Sequence, residues 1–102
     1  MPRPPIHPGE ILAEGLAETA VTPTELARQL KVPANRIRQI IQGKRAISGD
    51  TALRLGHWFG TSAQFWLNLQ SAYDTRMAAR QVGAQIARLP ARSSRARAAS
   101  AR

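Results

Sequence analysis

The segment from Thr22 to Gly43 constrains the fold more than any other part of the chain, because it predicts two short helices joined by only about three residues. The first helix begins with Thr22 as N-cap, followed by a proline and then by Glu25, which is the spacing of a capping box. The second helix runs from about residue 33 to residue 42. It ends at Gly43, the residue type that commonly follows a helix C-terminus.

Small and aliphatic side chains are spaced so that these two helices can cross at a steep angle. Ala27 lies in the first helix, and Ile37 and Ile40 lie in the second, all at inward positions. Ala27 lets the backbones approach, and the isoleucines hold the second helix against the first. This pattern predicts a helix-turn-helix, in which the second helix presents its polar side to the major groove of DNA.

The turn between the two helices contains one mismatch with this arrangement. Such a turn often takes glycine where a left-handed conformation is required, and this chain has Lys31 there. A non-glycine residue in that conformation costs about 1 kcal/mol. We expect the isoleucine packing to offset this cost.

The polar side of the second helix carries residue types that recognise DNA bases. Arg pairs bidentately with guanine, and Asn or Gln with adenine. The predicted base-reading residues are Asn35, Arg36, Arg38 and Gln39. The predicted phosphate contacts are Thr22, Thr24, Arg28, Lys44 and Arg45. The alternatives are that the polar side is an ordinary solvated face and that the last two residues are ordinary surface charge.

The net charge of the chain favours a polyanionic partner. It is +9, from 15 Lys and Arg against 6 Asp and Glu, which suits nucleic acid or an anionic membrane surface. The absence of cysteine excludes disulfides and Cys-ligated zinc. No apolar run is long enough to span a membrane, and the N-terminus does not resemble a signal peptide. We therefore expect a soluble, cytoplasmic protein.

The sequence shows no pattern of catalytic or metal-binding residues. His7 and His57 are far apart and have no acidic cluster nearby, so we expect structural or surface roles. Glu10, Glu14 and Glu18 follow one another at four-residue spacing without a His or basic partner. We interpret them as a solvated acidic ridge, and we expect neither an enzyme nor a bound metal or cofactor.

The remaining segments are also predicted to be helical, which gives an all-α fold of five helices. One helix has Pro8 at its first position, another extends from Ser48 as N-cap to Gly60, and the last begins at Ser62. The predicted organisation is a flexible segment 1–6, a domain 7–86 and a disordered Arg-rich tail 87–102. This tail either lies along DNA phosphates or contacts nothing.

The last helix carries a wide apolar stripe formed by Phe65, Trp66, Leu69 and Tyr73. A single small domain has limited core in which to bury such a stripe. We therefore predict that the stripe is a homodimer interface.

Three segments together resemble a known family. They are HPGEIL at 7–12, LARQLKVPANRIRQIIQGKRAIS at 26–48 and DTALRLGHWFGTSAQFWLNLQSAYD at 50–74. They are similar to the HigA-type antitoxins within the Xre/Cro-like helix-turn-helix proteins.

The resemblance implies the antitoxin half of a type II toxin–antitoxin pair. Such a protein forms a homodimer, binds a palindromic operator as double-stranded DNA and represses its own operon. It also neutralises a HigB-type, RelE-like toxin that cleaves mRNA. The resemblance adds Ala34 to the base-reading residues and Leu67 to the dimer interface.

Two other functions remain open at this point. One is a stand-alone Xre-like transcriptional repressor without a toxin partner. The other is an RNA-binding or nucleoid-coating basic protein, which predicts little preference between an operator and random duplex DNA.

Overall fold

The computed structural model describes residues 4–92, which form five helices and no strand. The helices are α1 Pro8–Thr19, α2 Pro23–Leu30, α3 Ala34–Ile41, α4 Gly49–Phe59 and α5 Ala63–Ala87. The predicted all-α, five-helix fold is confirmed. Most of the predicted Arg-rich tail, residues 93–102, lies outside the described residues, as do residues 1–3. The predicted domain boundaries therefore stay predictions.

The hydrophobic core lies where the short helices cross. Ile37 and Ile40 of α3 are completely buried, and Ala27 of α2 is only 1% exposed. A larger side chain at position 27 would hold the two helices apart, since interiors pack without spare volume. The predicted packing of α2 against α3 is thus present, and it fixes which side of α3 faces solvent.

The turn between α2 and α3 adopts the predicted left-handed conformation. Lys31 has φ 59° and ψ 46°, and its backbone N–H donates to carbonyl groups at the end of α2. A second non-glycine residue, Ala20, takes the same conformation after α1 with φ 56°. Each costs about 1 kcal/mol relative to glycine, and tertiary packing offsets this cost.

Glycine at position 9 permits the close approach of α1 to the end of α3. A Cβ added to Gly9 would lie 1.9 Å from the carbonyl oxygen of Ile40, a distance that no side chain tolerates. The start of α1 therefore packs directly against the backbone of α3, the helix predicted to read DNA.

The helix N-termini follow the predicted caps with one correction. Thr22 accepts a hydrogen bond from the backbone N–H of Glu25 at 3.1 Å, but the Glu25 carboxylate turns to Arg28 and Gln29 instead of closing a capping box. A reciprocal box forms at α1. There His7 Nδ1 accepts from the N–H of Gly9 and the Glu10 carboxylate accepts from the N–H of His7.

None of the helices in residues 4–92 is long and apolar enough to cross a membrane.

Candidate nucleic-acid interface

The outward side of α3 is formed by Asn35 and Arg38, with Gln42 at the helix end. All three are exposed, and the opposite side of the helix is fixed in the core by its two buried isoleucines. The 3.6-residue period aligns positions 35, 38 and 42 on one stripe. Ala34 and Gln39 lie half-buried at the two edges of this stripe. Gln42 was not among the predicted base-reading residues, although its spacing of four residues from Arg38 places it on the same side of the helix.

Arg38 is oriented by a contact with α2. Its Nη2 donates to Thr24 Oγ1 at 3.3 Å, and both side chains are exposed. The contact holds the guanidinium between the start of α2 and the outward side of α3. Thr22 and Thr24, two predicted phosphate contacts, lie at this start of α2, where unpaired backbone N–H groups and the helix dipole favour anions.

Arg36 requires a correction, because its side chain connects α3 to α4 and does not project from the outward side. Its Nη1 lies 2.7 Å from Asp50 Oδ2, and the Arg36 side chain is only 25% exposed. Arg54 binds the same carboxylate at 3.0 Å. Hydrogen bonds from Arg54 and Arg36 lower the pKa of Asp50, so the carboxylate stays ionised and keeps both partners. We therefore assign Arg36 to helix packing.

The predicted phosphate contacts Lys44 and Arg45 follow α3 in an exposed loop. Arg45 Nη1 donates to Gln39 Oε1 at 3.2 Å, and the backbone N–H of Lys44 donates to the carbonyl of Gln39 at 2.9 Å. Gly43 makes the turn with φ 76°. The two cations are thus placed beside the end of α3.

A buried glutamine of α5 fixes the far end of this loop. Gln70, 7% exposed, accepts a hydrogen bond from the backbone N–H of Ile47 at 2.7 Å and donates to Asp74 Oδ1 at 2.9 Å. Gln70 was not among the residues predicted from the sequence. Its signal was a polar side chain on the inward side of α5, one turn after Trp66.

Arg28 differs from the other predicted phosphate contacts because it has an acidic neighbour. Its guanidinium pairs with Glu25, and hydrogen bonds from Arg28 and Gln29 lower the pKa of Glu25 to about 2. The Arg28 side chain is nevertheless 71% exposed. A phosphate contact from Arg28 would compete with Glu25, and it stays a prediction.

The predicted dimer residues separate into buried and accessible ones. Trp66 is 2% exposed, packs in the core and donates through Nε1 to Thr61 at 3.0 Å, so we remove it from the predicted interface. Phe65 is 41% exposed. Leu67 and Leu69 are half-buried, as is Tyr73, whose ring packs edge-on against His7.

The three glutamates of α1 are exposed but not equivalent. Glu10 is used in the cap of α1, whereas Glu14 and Glu18 have no hydrogen-bond or ion-pair partner among residues 4–92. In the same part of the chain, no three His, Cys, Asp or Glu residues cluster in a way that could hold a metal ion.

The arrangement as a whole is suited to docking on duplex DNA. A rigid helix presents Asn, Arg and Gln side chains outward, with cations in the following loop and a helix N-terminus beside it. The major groove admits one α-helix, and flanking cations and helix N-termini can bind the adjacent phosphates.

The chain is similar to known proteins both in sequence and in structure. No family model matches the chain. It is 50% identical over 76 residues to virulence-associated protein I of Dichelobacter nodosus, and the aligned residues are 74% of this chain and 70% of that protein. An addiction module antidote protein of a HigA family from Coxiella burnetii superposes with a TM-score of 0.85 at 47% identity, covering 89% of this chain and 100% of that one. Antitoxin HigA of Pseudomonas aeruginosa, solved with the higBA promoter, gives a TM-score of 0.82 at 50% identity, covering 84% and 96%.

Proposed function

Because the chain belongs to the HigA family of helix-turn-helix antitoxins, we propose that it binds a palindromic operator as a homodimer, represses its own operon and neutralises a HigB-type, RelE-like toxin. Proteins of this family are DNA-binding regulators and antitoxins, a non-enzymatic class, which agrees with the prediction that the chain is not an enzyme.

The observation that carries the DNA-binding part is the fixed orientation of α3. Ile37 and Ile40 are completely buried, so Asn35 and Arg38 must face outward together. Antitoxin HigA of Pseudomonas aeruginosa, similar over 84% of this chain, was solved with promoter DNA. In our proposal Asn35, Arg38, Gln39 and Gln42 face base edges, with Ala34 at the margin of the stripe.

The phosphate contacts surround that stripe. Lys44 and Arg45 lie beside the end of α3, and Thr22 and Thr24 lie at the start of α2. A two-fold dimer presents two such surfaces to half-sites about one helical turn apart, roughly 34 Å. We therefore expect the operator to be an inverted repeat.

The test of the DNA-binding proposal is the substitution Arg38→Ala. It should weaken operator binding by about 1–3 kcal/mol and relax the preference at one base position, because a side chain that reads a base is lost. Binding is measured on the operator and on random duplex of equal length at fixed salt. Arg80→Ala, which removes the same charge from an exposed position of α5, is the control.

The comparison of the two duplexes decides the role of Arg38. If Arg38→Ala loses the same affinity on operator and random DNA, Arg38 contacts only phosphate. If the unmodified protein does not distinguish the two duplexes, sequence-specific repression is wrong, and a nucleic-acid-coating function is favoured.

A further inference from the structure

A groove lies between α1 and the region where α4 leads into α5, and no residue of α2 or α3 contributes to it. Its volume is about 190 Å³. The apolar walls include Ile11, Phe59 and Phe65, and Glu14 and Glu18 lie along the α1 side. We call this feature the α1–α5 groove. The groove and the outward side of α3 share no residue.

The carboxylates of the groove are the ones that the fold leaves unused. The chain has six acidic residues. Glu10 caps α1, Glu25 pairs with Arg28, Asp50 holds two arginines and Asp74 accepts from Gln70. Within residues 4–92, the acids without such a partner are the two on the groove.

An exposed aromatic ring accompanies this uncompensated negative charge. Phe65 is 41% exposed, although the side chain next to it, Trp66, is completely packed. Large aromatic side chains are enriched among the residues that dominate binding energies at protein interfaces. An apolar anchor between acidic side chains is therefore suited to a cationic segment of a protein that also carries an apolar side chain.

The charge of the groove argues against two other occupants. DNA phosphates are repelled by Glu14 and Glu18. A second copy of this chain would form a two-fold interface, in which the same patch meets itself, so that acidic residues would face acidic residues. Lys or Arg side chains of a different protein compensate the charge, and desolvation beside Phe65 strengthens the attraction.

We propose that the α1–α5 groove docks a cationic segment of the toxin, with Lys or Arg side chains on Glu14 and Glu18 and an apolar side chain against Phe65. This inference rests on the proposed antitoxin function, assigns it a surface and moves Phe65 from the predicted dimer interface to that surface. Because the groove and the DNA-facing side of α3 are separate, toxin and operator can be bound at the same time.

The test uses the full chain and the protein encoded by the reading frame that adjoins its gene. Glu14→Gln/Glu18→Gln should weaken this complex by about tenfold and reduce its salt dependence, because exposed charge pairs are screened by salt. Phe65→Ala should weaken it by about tenfold or more, as for an interface anchor. Affinity is measured by calorimetry at low and high salt, and operator binding is measured in parallel.

Matched controls separate the groove from general effects. Gln81→Lys/Gln85→Lys raises the net charge by two, as the double glutamine variant does, but at exposed positions far along α5. Leu53→Ala removes another large apolar side chain, 67% exposed on α4. Both controls should leave the affinity for the toxin unchanged.

The outcomes distinguish this inference from the proposed function. If the unmodified chain does not bind the neighbouring protein, the antitoxin function and the groove assignment are both wrong. If the unmodified chain binds and the groove variants bind equally well, the function stands and the groove assignment is overturned. If the groove variants become monomeric, the groove is a contact between copies of the chain and the assignment is again overturned.

Discussion

His7 links the start of α1 to the surrounding structure through an unprotonated ring nitrogen. Its Nδ1 accepts from the N–H of Gly9 at 2.9 Å, and the ring packs edge-on against Tyr73 of α5. Burial lowers the pKa of His7 from its usual 6.5, although the carboxylates of Asp74 and Glu10 oppose the shift. Protonation at Nδ1 would remove the acceptor of the cap.

The lowered pKa predicts that stability falls under mildly acidic conditions. Between the unfolded value of 6.5 and the lower folded value, the unfolded chain binds more protons. The contribution of neutral His7 to the free energy of unfolding is therefore complete above pH 6.5, and it is lost as the pH falls through this window. Denaturant unfolding across the pH range should show this decline. In His7→Asn, which keeps a cap acceptor without a titrating ring, the decline should be smaller.

The exposed histidine on α4 provides the control for this pH dependence. His57→Gln should leave the decline unchanged, because His57 is exposed and takes no part in the cap of α1. A decline that is equally steep in His7→Asn would contradict the assignment to His7.

At the residue scale, the sequence predicts packing positions better than side-chain partners. Ala27, Ile37 and Lys31 have the predicted burial or backbone conformation, since these depend on local spacing. Arg36 was expected to face DNA, but its Nη1 lies 2.7 Å from Asp50 Oδ2. Nothing in the spacing of residues along α3 indicates this contact with α4. Trp66 is part of the apolar stripe that the sequence predicts, but its side chain is buried in the core. That burial depends on tertiary packing and not on the spacing of the stripe.

At the element scale, α5 supports the loop that follows α3. The buried Gln70 side chain accepts from the N–H of Ile47 and donates to the exposed Asp74, so hydrogen bonds connect α5 to the loop of Lys44 and Arg45. A buried N–H that loses its acceptor costs about 1–3 kcal/mol. We infer that the loop conformation depends on this glutamine.

Gln70→Leu should therefore lower both stability and affinity for DNA. We expect a loss of about 1–3 kcal/mol in the free energy of unfolding. Affinity should fall by the same factor on operator and random duplex, because Lys44 and Arg45 are predicted to bind phosphates and not bases. Gln64→Leu, at an exposed glutamine of the same helix bound only to Asn68, is the matched control. Unchanged DNA affinity in a destabilised Gln70→Leu would restrict Gln70 to a folding role.

The helix ends show what capping patterns can and cannot predict. Ser48 is the predicted N-cap of α4, and Ser62, where the last helix was predicted to begin, is the N-cap of α5. The side chain of each accepts a hydrogen bond from the backbone N–H three residues later. The pattern at Thr22 predicted a reciprocal box, but Arg28 competes for the Glu25 carboxylate. His7 was not expected as a cap, because histidine is outside the residue types preferred there.

At the scale of the whole molecule, α5 extends beyond the core that it helps to close. It has 25 residues, roughly 37 Å at 1.5 Å per residue, yet its buried residues are only Trp66 and Gln70. Along α5, positions 69, 72, 76, 79, 83 and 86 are separated alternately by three and four residues, and all except Arg76 are small or apolar. We call this set the α5 seam: Leu69, Ala72, Ala79, Gly83 and Ile86. A seam with this period packs against a second helix, and we propose the α5 seam of another copy as that partner.

The dimer prediction is tested at the far end of the α5 seam, because Trp66→Ala would disturb the core of each protomer. Ile86 is 55% exposed, so Ile86→Asp should not unfold the chain. A charge in an apolar seam should weaken dimerisation by about tenfold or more, and operator binding should weaken with it because two half-sites are no longer joined. Gln85→Asp makes the same charge change beside the seam and should stay dimeric. Light scattering over a concentration series, followed by operator titration, provides the measurement. If Ile86→Asp is as dimeric as Gln85→Asp, the subunits meet elsewhere, and Leu67 on the other flank of α5 becomes the next position to test.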